Sequence, residues 1–337
     1  MTKIAINGFG RIGRGFVRAL YQSGKQDALE IVAINDLAPA ENLAYLLKYD
    51  SVYGRFGTEV RVEDGQLVVG GKKIALTSEK EPAKLPWRQM NIDIVVESTG
   101  FFTNAEKARA HIDAGAKRVV ISAPGKGEGV ETVLIGVNEE KLAKCEISSN
   151  ASCTTNAVSP VVGILDEAIG IERAILNTTH AYTASQAIVD GVAPDDFRRG
   201  RAAAINMGPS STGAAKATAL VYPKLKGKFD GVAVRVPVAS GSIADITFVA
   251  TRATSVEEVN EALRAAAKTD RWKKVFAVTE EPLVSSDILG LPYGSIADLA
   301  MTRVVDGTLV KVLAWYDNEM GYAHTLIGHV IEVGKHL

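Results

Sequence analysis

The sequence predicts an α/β protein of two domains, a doubly wound parallel sheet followed by an α+β domain whose sheet is mainly antiparallel. Short apolar strands alternate with helical segments in the first part of the chain, and long β-rich runs with few helices follow. The chain of 337 residues also exceeds one ordinary core. We therefore place the first domain at residues 1–151, joined by a C-terminal helix at residues 319–337, and the second at residues 152–318.

The composition is that of an ordinary globular protein. Hydrophobic residues make up 47%, charged residues 23%, and the formal net charge is −1. We therefore expect no attraction to nucleic acid or to a membrane surface, and neither a signal peptide nor a membrane span. The only cysteines are Cys145, on an apparent buried strand, and Cys153, so we expect free thiols, a reducing cytoplasmic setting and no metal site.

The first strand, at residues 3–7, leads into a glycine-rich turn. Gly8, Gly10 and Gly13 have the spacing Gly-x-Gly-x-x-Gly, a helix follows, and a second strand ends at Asp36. This order is typical of a Rossmann-type dinucleotide site, where glycines let pyrophosphate approach the backbone and the acid binds a ribose. Because the Asp36 carboxylate would repel a 2′-phosphate, the pattern predicts NAD rather than NADP.

Strands at residues 92–97 and 118–122, with a helix at residues 105–114 between them, continue the alternation. Ligands bind beyond strand ends in open α/β sheets, so Thr99 and Ser122 are expected to line the cofactor crevice. Either residue can also belong to an ordinary turn. Three further short strands predict a small meander at residues 60–62, 67–69 and 73–76.

Four long β-rich runs predict the second sheet, and the last of them folds back at Asp306-Gly307 as a hairpin. Helices are expected at residues 255–268 and 319–335. The β-rich runs are residues 173–182, 231–238, 242–251 and 302–316.

Cys153 lies at a predicted strand-to-helix junction, where neighbouring hydroxyl and amide side chains can cap the helix. The free N–H groups and partial positive charge of a helix start favour the thiolate. A nucleophilic cysteine normally also needs a base, and His180 is the best candidate because one helix and one turn would carry its β-run back towards Cys153. A lone cysteine can also be a small apolar filler, and the polar flanks leave both interpretations open.

Three arginines are clustered at residues 196–201, before a hydroxyl-and-glycine turn at residues 209–216 that opens a helix. Arginine offers a planar fork to phosphate oxygens and a helix start adds backbone donors, so this segment is a candidate anion site. It can also be a solvated face or an oligomer contact. Arg235 lies within an apolar strand and needs a buried carboxylate or a bound anion as its partner.

Seven stretches spread over nearly the whole chain resemble the phosphorylating, glycolytic glyceraldehyde-3-phosphate dehydrogenase family. The most specific is residues 149–156, and the others are residues 7–14, 180–183, 198–203, 211–216, 235–237 and 315–319. The resemblance implies that Cys153 is the nucleophile and His180 the base. The implied reaction is the NAD-dependent oxidation and phosphorylation of glyceraldehyde 3-phosphate to 1,3-bisphosphoglycerate, through a thiohemiacetal and a thioester. It also implies a homotetramer with a role in glycolysis or gluconeogenesis.

The same resemblance implies ligand contacts. The residues expected to contact NAD are Arg11, Ile12, Asp36, Ser122 and Asn318. Thr183 and Arg235 would hold the substrate phosphate, and Arg198 or Arg199 would assist a phosphate site. The residues expected to hold inorganic phosphate are Ser152, Thr154, Thr212 and Gly213.

The chain departs from the family pattern at two informative positions. Ala157 replaces a second cysteine that many members have, and Val192 replaces a common proline in a loop that reaches a neighbouring subunit's cofactor pocket in the family. Two alternative functions are erythrose-4-phosphate dehydrogenase and a non-catalytic NAD-binding or RNA-associating protein. Thr183 favours the glyceraldehyde 3-phosphate enzyme over the first alternative, and intact Cys153 and His180 favour catalysis over the second.

Overall fold

The computed structural model describes residues 1–194 and 196–337, and the chain divides into two compact units. One unit comprises Met1–Ser152 and Ala323–Leu337, and the other comprises Cys153–Tyr322. The first contains a mostly parallel sheet and the second a mainly antiparallel sheet, so the predicted fold class is confirmed. Within the described ranges, no helix is long and apolar enough to cross a membrane.

The first unit alternates strands and helices along the chain. Its elements are β1 (Thr2–Asn7), α1 (Arg11–Gln22), β2 (Leu29–Asn35), α2 (Ala40–Lys48), β3 (Tyr49–Asp50), β4 (Gly54–Arg55), β5 (Val60–Glu63), β6 (Gln66–Val69), β7 (Lys72–Thr77), β8 (Ile94–Glu97), α3 (Ala105–Asp113), β9 (Arg118–Ile121), β10 (Glu131–Thr132) and β11 (Ile147–Ser149).

The main sheet of this unit has the strand order β10-β11-β9-β8-β1-β2-β7-β6-β5. Pairing is parallel from β10 to β7, and β7, β6 and β5 pair antiparallel as the predicted meander. Strand β8 is buried along its whole length, which is typical of a parallel sheet covered on both faces. The chain places β2 on one side of β1 and β8 on the other, so the strand order reverses beside β1, where such sheets bind ligands.

An apolar core under this sheet is built around Trp87, which is fully buried. Ala5 of β1, Ala33 of β2 and Val95 of β8 pack in the same cluster. The indole therefore lies against the central strands, and its N–H must find a hydrogen-bond acceptor inside the unit.

The second unit begins with a long helix and continues mainly with strands. Its elements are α4 (Cys153–Ala168), β12 (Ile171–Ala181), β13 (Gly208–Ser211), α5 (Ala214–Val221), β14 (Phe229–Val236), β15 (Ser242–Ala250), α6 (Val256–Ala266), β16 (Phe276–Thr279), β17 (Ser295–Val305) and β18 (Leu309–Tyr316). The sheet order is β13-β14-β12-β15-β18-β17-β16. Pairing is antiparallel except for β12 with β14 and β16 with β17. The last helix, α7 (Met320–Gly334), continues into the first unit from Ala323 onward.

The predicted hairpin turn at Asp306-Gly307 is confirmed, and the meander contains a second turn of the same kind. Asp64 and Gly65 join β5 to β6 with φ angles of 51° and 74°, and Asp306 and Gly307 join β17 to β18 with φ angles of 49° and 66°. Two successive positive φ angles match the right-handed twist of the flanking strands, and Asp-Gly tolerates them at low cost.

The structure differs from the sequence-based expectations in several places. Strand β17 begins at Ser295 rather than near residue 302, because its first half is buried on both faces and shows no alternation. Strand β13 was not predicted, because Gly-Pro-Ser-Ser has low β-propensity and is extended only through its pairing with β14. The prediction that Cys145 lies on a buried strand is wrong, because β11 begins at Ile147 and Cys145 is only half-buried; both cysteines are free.

Replacing Gly13 should weaken the first unit. A Cβ atom at Gly13 would lie 2.4 Å from the Gly8 carbonyl oxygen, because the first turn of α1 packs directly on the glycine turn. We expect Gly13→Ala to lower the free energy of unfolding by about 1–3 kcal/mol, the usual cost of overpacking. Urea denaturation of the ligand-free protein measures this loss.

Gly10→Ala is the matched control for that variant. A Cβ atom at Gly10 would meet no other atom within 4 Å, so this substitution should change stability little. An equal loss of stability in the two variants would contradict the close packing inferred at Gly13.

Candidate active site

The chain approaches Cys153 through a strained and well-supported turn. Ala151, fully buried, has a φ angle of 54°, a left-handed conformation that is uncommon for alanine. The Ser149 hydroxyl accepts hydrogen bonds from the N–H of Ala151 (3.0 Å) and of Gly125 (3.1 Å), and it donates to the carbonyl of Ala123 (2.6 Å). These contacts hold the turn, and α4 then begins at Cys153 as the sequence predicts.

Cys153 and His180 are brought together in the second unit. The Cys153 Sγ atom lies 3.4 Å from His180 Nε2, within the range of a sulfur hydrogen bond. His180 Nδ1 lies 2.6 Å from the carbonyl oxygen of Ala181 and 2.7 Å from Nη1 of Arg235. The parallel pairing of β12 with β14 places His180 directly opposite Arg235, so the register of the sheet determines this contact.

Burial controls the ionisation of both groups. It lowers the pKa of His180 to about 4, with the positive charge of Arg235 as a second cause, so the imidazole is neutral at neutral pH. Burial also raises the pKa of the Cys153 thiol, and Arg235 acts in the opposite direction. The expectation that the helix start makes the thiolate easy to form is therefore incomplete, because burial raises the thiol pKa and Arg235 is the strongest influence that lowers it.

The two contacts of Nδ1 correspond to the two neutral tautomers of the ring. When Nδ1 carries the proton it donates to the carbonyl of Ala181, and Nε2 can accept the thiol proton. When Nδ1 accepts from Arg235, Nε2–H can donate to a thiolate. The surroundings of His180 therefore suit both a base and a thiolate partner. A buried carboxylate or a bound anion was expected as the partner of Arg235, but the partners in the structure are this imidazole and the Ala181 carbonyl, the latter at 3.2 Å.

Tyr316 is a site residue that the sequence reasoning missed. Its ring packs edge-on to His180 at 5.9 Å, and its hydroxyl lies 2.9 Å from Thr154 Oγ1 and 2.7 Å from Thr178 Oγ1. Burial raises the pKa of this phenol, so Tyr316 is neutral. The sequence offers one indication that Tyr316 belongs to the site, which is its place at the end of the last β-run, directly before Asp317-Asn318. Thr154 is itself buried, and its hydroxyl takes part in this network.

The predicted phosphate residues lie on five segments, at residues 152–154, 183, 198–199, 212–213 and 235. Arg199 donates to Ser210 Oγ (3.2 Å) and pairs with Asp196 (3.2 Å). Burial is the main cause of the lowered pKa of Arg235, and the positive charge of Arg199 lowers it further. The two guanidinium groups therefore influence each other electrostatically. Arg198 is exposed, and Arg201 is paired with Asp190 at 3.0 Å.

The remaining candidates for phosphate contacts lie in short connections next to a helix or a strand. Thr212 Oγ1 accepts from the N–H of Ala214 (3.2 Å), and Gly213 is the N-cap of α5 without a side-chain cap. The Thr183 hydroxyl lies 2.9 Å from Ser185 Oγ, just after β12. Ser152 is half-buried directly before Cys153.

A separate cavity of about 500 Å³ lies in the first unit, at the carboxyl end of β1. The Asp36 carboxylate is fixed in its wall, since its oxygens accept from the N–H groups of Phe9 (2.7 Å) and Ala38 (2.9 Å). The residues that line the cavity are Asn7, Gly8, Gly10, Asn35, Asp36, Leu37, Glu79, Lys80, Ser98, Thr99, Phe101 and Phe102.

These residues fit a dinucleotide. A Cβ atom at Gly8 would lie 2.7 Å from the backbone nitrogen of Thr99, so only glycine keeps this turn open. No side-chain hydrogen bond caps the start of α1 at Gly10, and a helix start of this kind favours an anionic ligand.

The other predicted cofactor residues are placed as follows. Arg11 pairs with the Asp50 carboxylate at 2.5 Å, and Ile12 is half-buried in the first turn of α1. The Ser122 hydroxyl lies 3.2 Å from Ser98 Oγ, and Ser122 is not among the lining residues. Asn318, in the second unit, accepts through Oδ1 from the Gly241 N–H (3.1 Å) and the Ser242 hydroxyl (2.9 Å), which fixes its amide. Among the residues that the structure describes, no group of three or more acidic, cysteine or histidine side chains could hold a metal ion.

Replacing Arg235 should make Cys153 harder to ionise. We expect Arg235→Gln to shift the alkylation of Cys153 by iodoacetamide to higher pH, because the charge that lowers the thiol pKa is removed. His180 should stay neutral near pH 7, since burial is the larger cause of its low pKa. The measurement is the rate of alkylation against pH, with the modified cysteine identified by peptide mass spectrometry.

Arg201→Gln is the control, because Arg201 is exposed and paired with Asp190. Its alkylation profile should match that of the unmodified protein. A profile for Arg235→Gln that is unchanged, or shifted to lower pH, would contradict the electrostatic role assigned to Arg235.

The chain is similar to known proteins over nearly its whole length. The family description "Glyceraldehyde 3-phosphate dehydrogenase, NAD binding domain" matches residues 2–105, and "Glyceraldehyde 3-phosphate dehydrogenase, C-terminal domain" matches residues 152–318. The chain is 49% identical over 337 residues to glyceraldehyde-3-phosphate dehydrogenase 2 of Streptomyces avermitilis, covering 99% of both chains. It is 48% identical over 337 residues to the glyceraldehyde-3-phosphate dehydrogenase of Zymomonas mobilis, covering 100% of this chain and 99% of the relative. The corresponding Mycobacterium avium protein is 49% identical over 341 residues, with the same coverage. The chain therefore belongs to the glyceraldehyde 3-phosphate dehydrogenase family.

Proposed function

We propose that this protein catalyses the NAD-dependent oxidation and phosphorylation of glyceraldehyde 3-phosphate to 1,3-bisphosphoglycerate. The observation that carries the proposal is the pairing of Cys153 with a neutral, buried His180 at 3.4 Å, with Arg235 next to both, in a chain of this family. Erythrose-4-phosphate dehydrogenase and a non-catalytic NAD-binding protein are less favoured. The full-length relatives are named as glyceraldehyde-3-phosphate dehydrogenases, and the nucleophile and base are both present.

The first half of the reaction uses Cys153 and His180. Cys153 gives up its proton to His180 Nε2, and the thiolate attacks the aldehyde carbon. The protonated imidazole returns this proton to the developing alkoxide, which gives the thiohemiacetal and leaves His180 neutral again. His180 then takes the hydroxyl proton as the carbon is oxidised to a thioester. NAD, when bound, supplies the chemistry of this oxidation by accepting a hydride. The backbone N–H of Cys153, at the start of α4, can donate to the developing oxyanion.

The second half transfers the acyl group from sulfur to phosphate. Inorganic phosphate attacks the thioester carbon, the C–S bond breaks, and Cys153 leaves as a thiolate beside His180. Two anions must be held, the phosphate of the substrate and the attacking phosphate. We propose Thr183 and Arg235 for the first, with Arg199 as the assisting arginine because its charge acts on Arg235. For the attacking phosphate we propose Ser152, Thr212 and the uncapped N–H groups near Gly213, with Thr154 contributing through its backbone.

The cofactor site belongs to the first unit in this proposal, with catalysis in the second. Asp36 is fixed by two backbone donors and would accept from ribose hydroxyls, which favours NAD. Contacts of NAD with Arg11, Ile12, Ser122 and Asn318 are part of the same proposal. We further propose a homotetramer that acts in the cytoplasm, in glycolysis or gluconeogenesis.

The test is NADH formation by the purified protein with glyceraldehyde 3-phosphate and NAD, with and without inorganic phosphate, and with erythrose 4-phosphate in parallel. We expect turnover that requires phosphate, prefers the three-carbon substrate and is lost in Cys153→Ser. Preference for erythrose 4-phosphate would move the function to the sibling enzyme. NAD binding without turnover on either sugar would leave only the non-catalytic alternative.

His180→Asn should slow turnover by about 10² to 10⁴-fold, the usual contribution of a positioned general base. The rate of NADH formation at saturating substrates measures the effect. His336→Asn provides the matched control, because His336 lies near the C-terminus and its ring is paired with the Glu332 carboxylate at 3.9 Å. A loss below about tenfold in His180→Asn would mean that His180 is a structural residue rather than the base.

A further inference from the structure

A buried carboxylate that the proposed mechanism does not use lies at the end of β8. Glu97 is 1% exposed. Its Oε2 atom accepts from Asn7 Nδ2 (2.6 Å) and lies 3.0 Å from His111 Nε2. Its Oε1 atom accepts from the backbone N–H of Thr99 (2.8 Å) and from the Thr99 hydroxyl. Four donors therefore converge on one carboxylate inside the first unit.

The neighbours of Glu97 determine where the protons are. The Trp87 indole N–H can only donate, and it lies 3.1 Å from His111 Nδ1, so Nδ1 is an acceptor and the proton of a neutral ring is on Nε2. His111 must then donate to Glu97. Asn35 donates to Asn7 Oδ1 (2.7 Å), which turns the Asn7 nitrogen towards Glu97. Each of the four partners presents a hydrogen to the Glu97 side chain, and an amide in its place could not accept all four.

This network connects directly to the cavity lining. The Thr99 hydroxyl, while donating to Glu97, accepts from the N–H of Phe101 (3.1 Å). The Ser98 N–H donates to the carbonyl of Asn7 (2.7 Å), and Thr99 packs so closely on Gly8 that no Cβ atom fits between them. Residues 98–102 thus form a loop that is fastened to Glu97 on its inner side, while Ser98, Thr99, Phe101 and Phe102 line the cavity.

We propose that Glu97 is a positioning residue for cofactor binding, which acts through Thr99 and is itself oriented by the His111–Trp87 pair. Its carboxylate holds the loop of residues 98–102 against the Gly8 turn and so keeps the cavity in the shape that a dinucleotide needs. The inference rests on the NAD binding proposed above. It adds Glu97, His111 and Trp87, none of which touches the cavity, to the residues that determine cofactor affinity.

The test uses the full-length Glu97→Gln variant. The amide must direct its N–H groups at two of the four donors, so the loop has to shift to avoid unsatisfied buried groups. We expect the dissociation constant for NAD, measured by calorimetry, to rise by about tenfold or more. The alkylation rate of Cys153 without NAD should stay unchanged, because Cys153 and His180 lie in the other unit. The KM for NAD should rise far more than kcat falls.

Asp93→Asn is the matched control. Asp93 directly precedes the same strand at its opposite end, where it accepts from the N–H of Lys3 (2.8 Å) and pairs with Lys117 (2.7 Å). Both variants change a carboxylate to an amide and should lower the melting temperature, but only Glu97→Gln should weaken NAD binding. An unchanged NAD affinity in Glu97→Gln would overturn the proposal, as would equal weakening in the two variants.

A second variant covers the case in which Glu97→Gln does not fold. Thr99→Val keeps the shape of the side chain but removes the hydroxyl that links Glu97 to Phe101, so NAD should bind more weakly to it; unchanged affinity would overturn the proposal. Where both single variants fold, the double variant should bind NAD only slightly more weakly than the single variant with the lower NAD affinity. The reason is that both substitutions break the same link between Glu97 and the loop. Additive losses would contradict the route through Thr99. An unmodified protein that binds no NAD would refute the proposed function itself, which is a different outcome from unchanged variants of an active enzyme.

Discussion

The chemistry of the second unit depends on one contact set by strand register. Parallel pairing of β12 with β14 places Arg235 opposite His180, and the guanidinium Nη1 lies 2.7 Å from the imidazole. Burial raises the pKa of the Cys153 thiol, and Arg235 is the strongest of the influences that act against this rise, while it also helps to keep His180 neutral. A slip of one residue between these strands would turn Arg235 to the other face of the sheet. The proposed nucleophile and base therefore depend on the register of this strand pair.

In the first unit the buried charges under discussion are negative. Two of its buried or partly buried carboxylates, Asp36 and Glu97, are satisfied by N–H and O–H donors, whereas Asp50 and Asp93 form ion pairs with Arg11 and Lys117. Such donors fix the position of a carboxylate without cancelling its charge. In the proposed roles, Asp36 keeps the charge with which it discriminates between ribose and a 2′-phosphate, while Glu97 holds a loop. In both units, the position of each of these charged groups is determined by protein groups in direct contact with it rather than by solvent.

Features whose determinants are adjacent in the chain could be predicted from the sequence. The glycine turn before α1, the start of α4 at Cys153 and the Asp306-Gly307 hairpin each depend on a few consecutive residues. Tyr316, His111 and Trp87 could not be found in this way, because their partners lie far along the chain and are brought near by the sheet and its helices. The ionisation of Cys153 was misjudged for a related reason: the helix start is local, but the burial that opposes it is a property of the folded unit.

The low pKa of His180 has a consequence for metabolism in acidifying cells. An imidazole with an ordinary pKa near 6.5 would lose much of its basic form as the surroundings became mildly acidic. With a pKa of about 4, His180 keeps its lone pair through that whole range. Mild acidification would thus not protonate His180, so it would not slow a step that depends on this imidazole as a base. Any inhibition under such conditions would have to arise from substrate supply, from the cofactor ratio or from other groups.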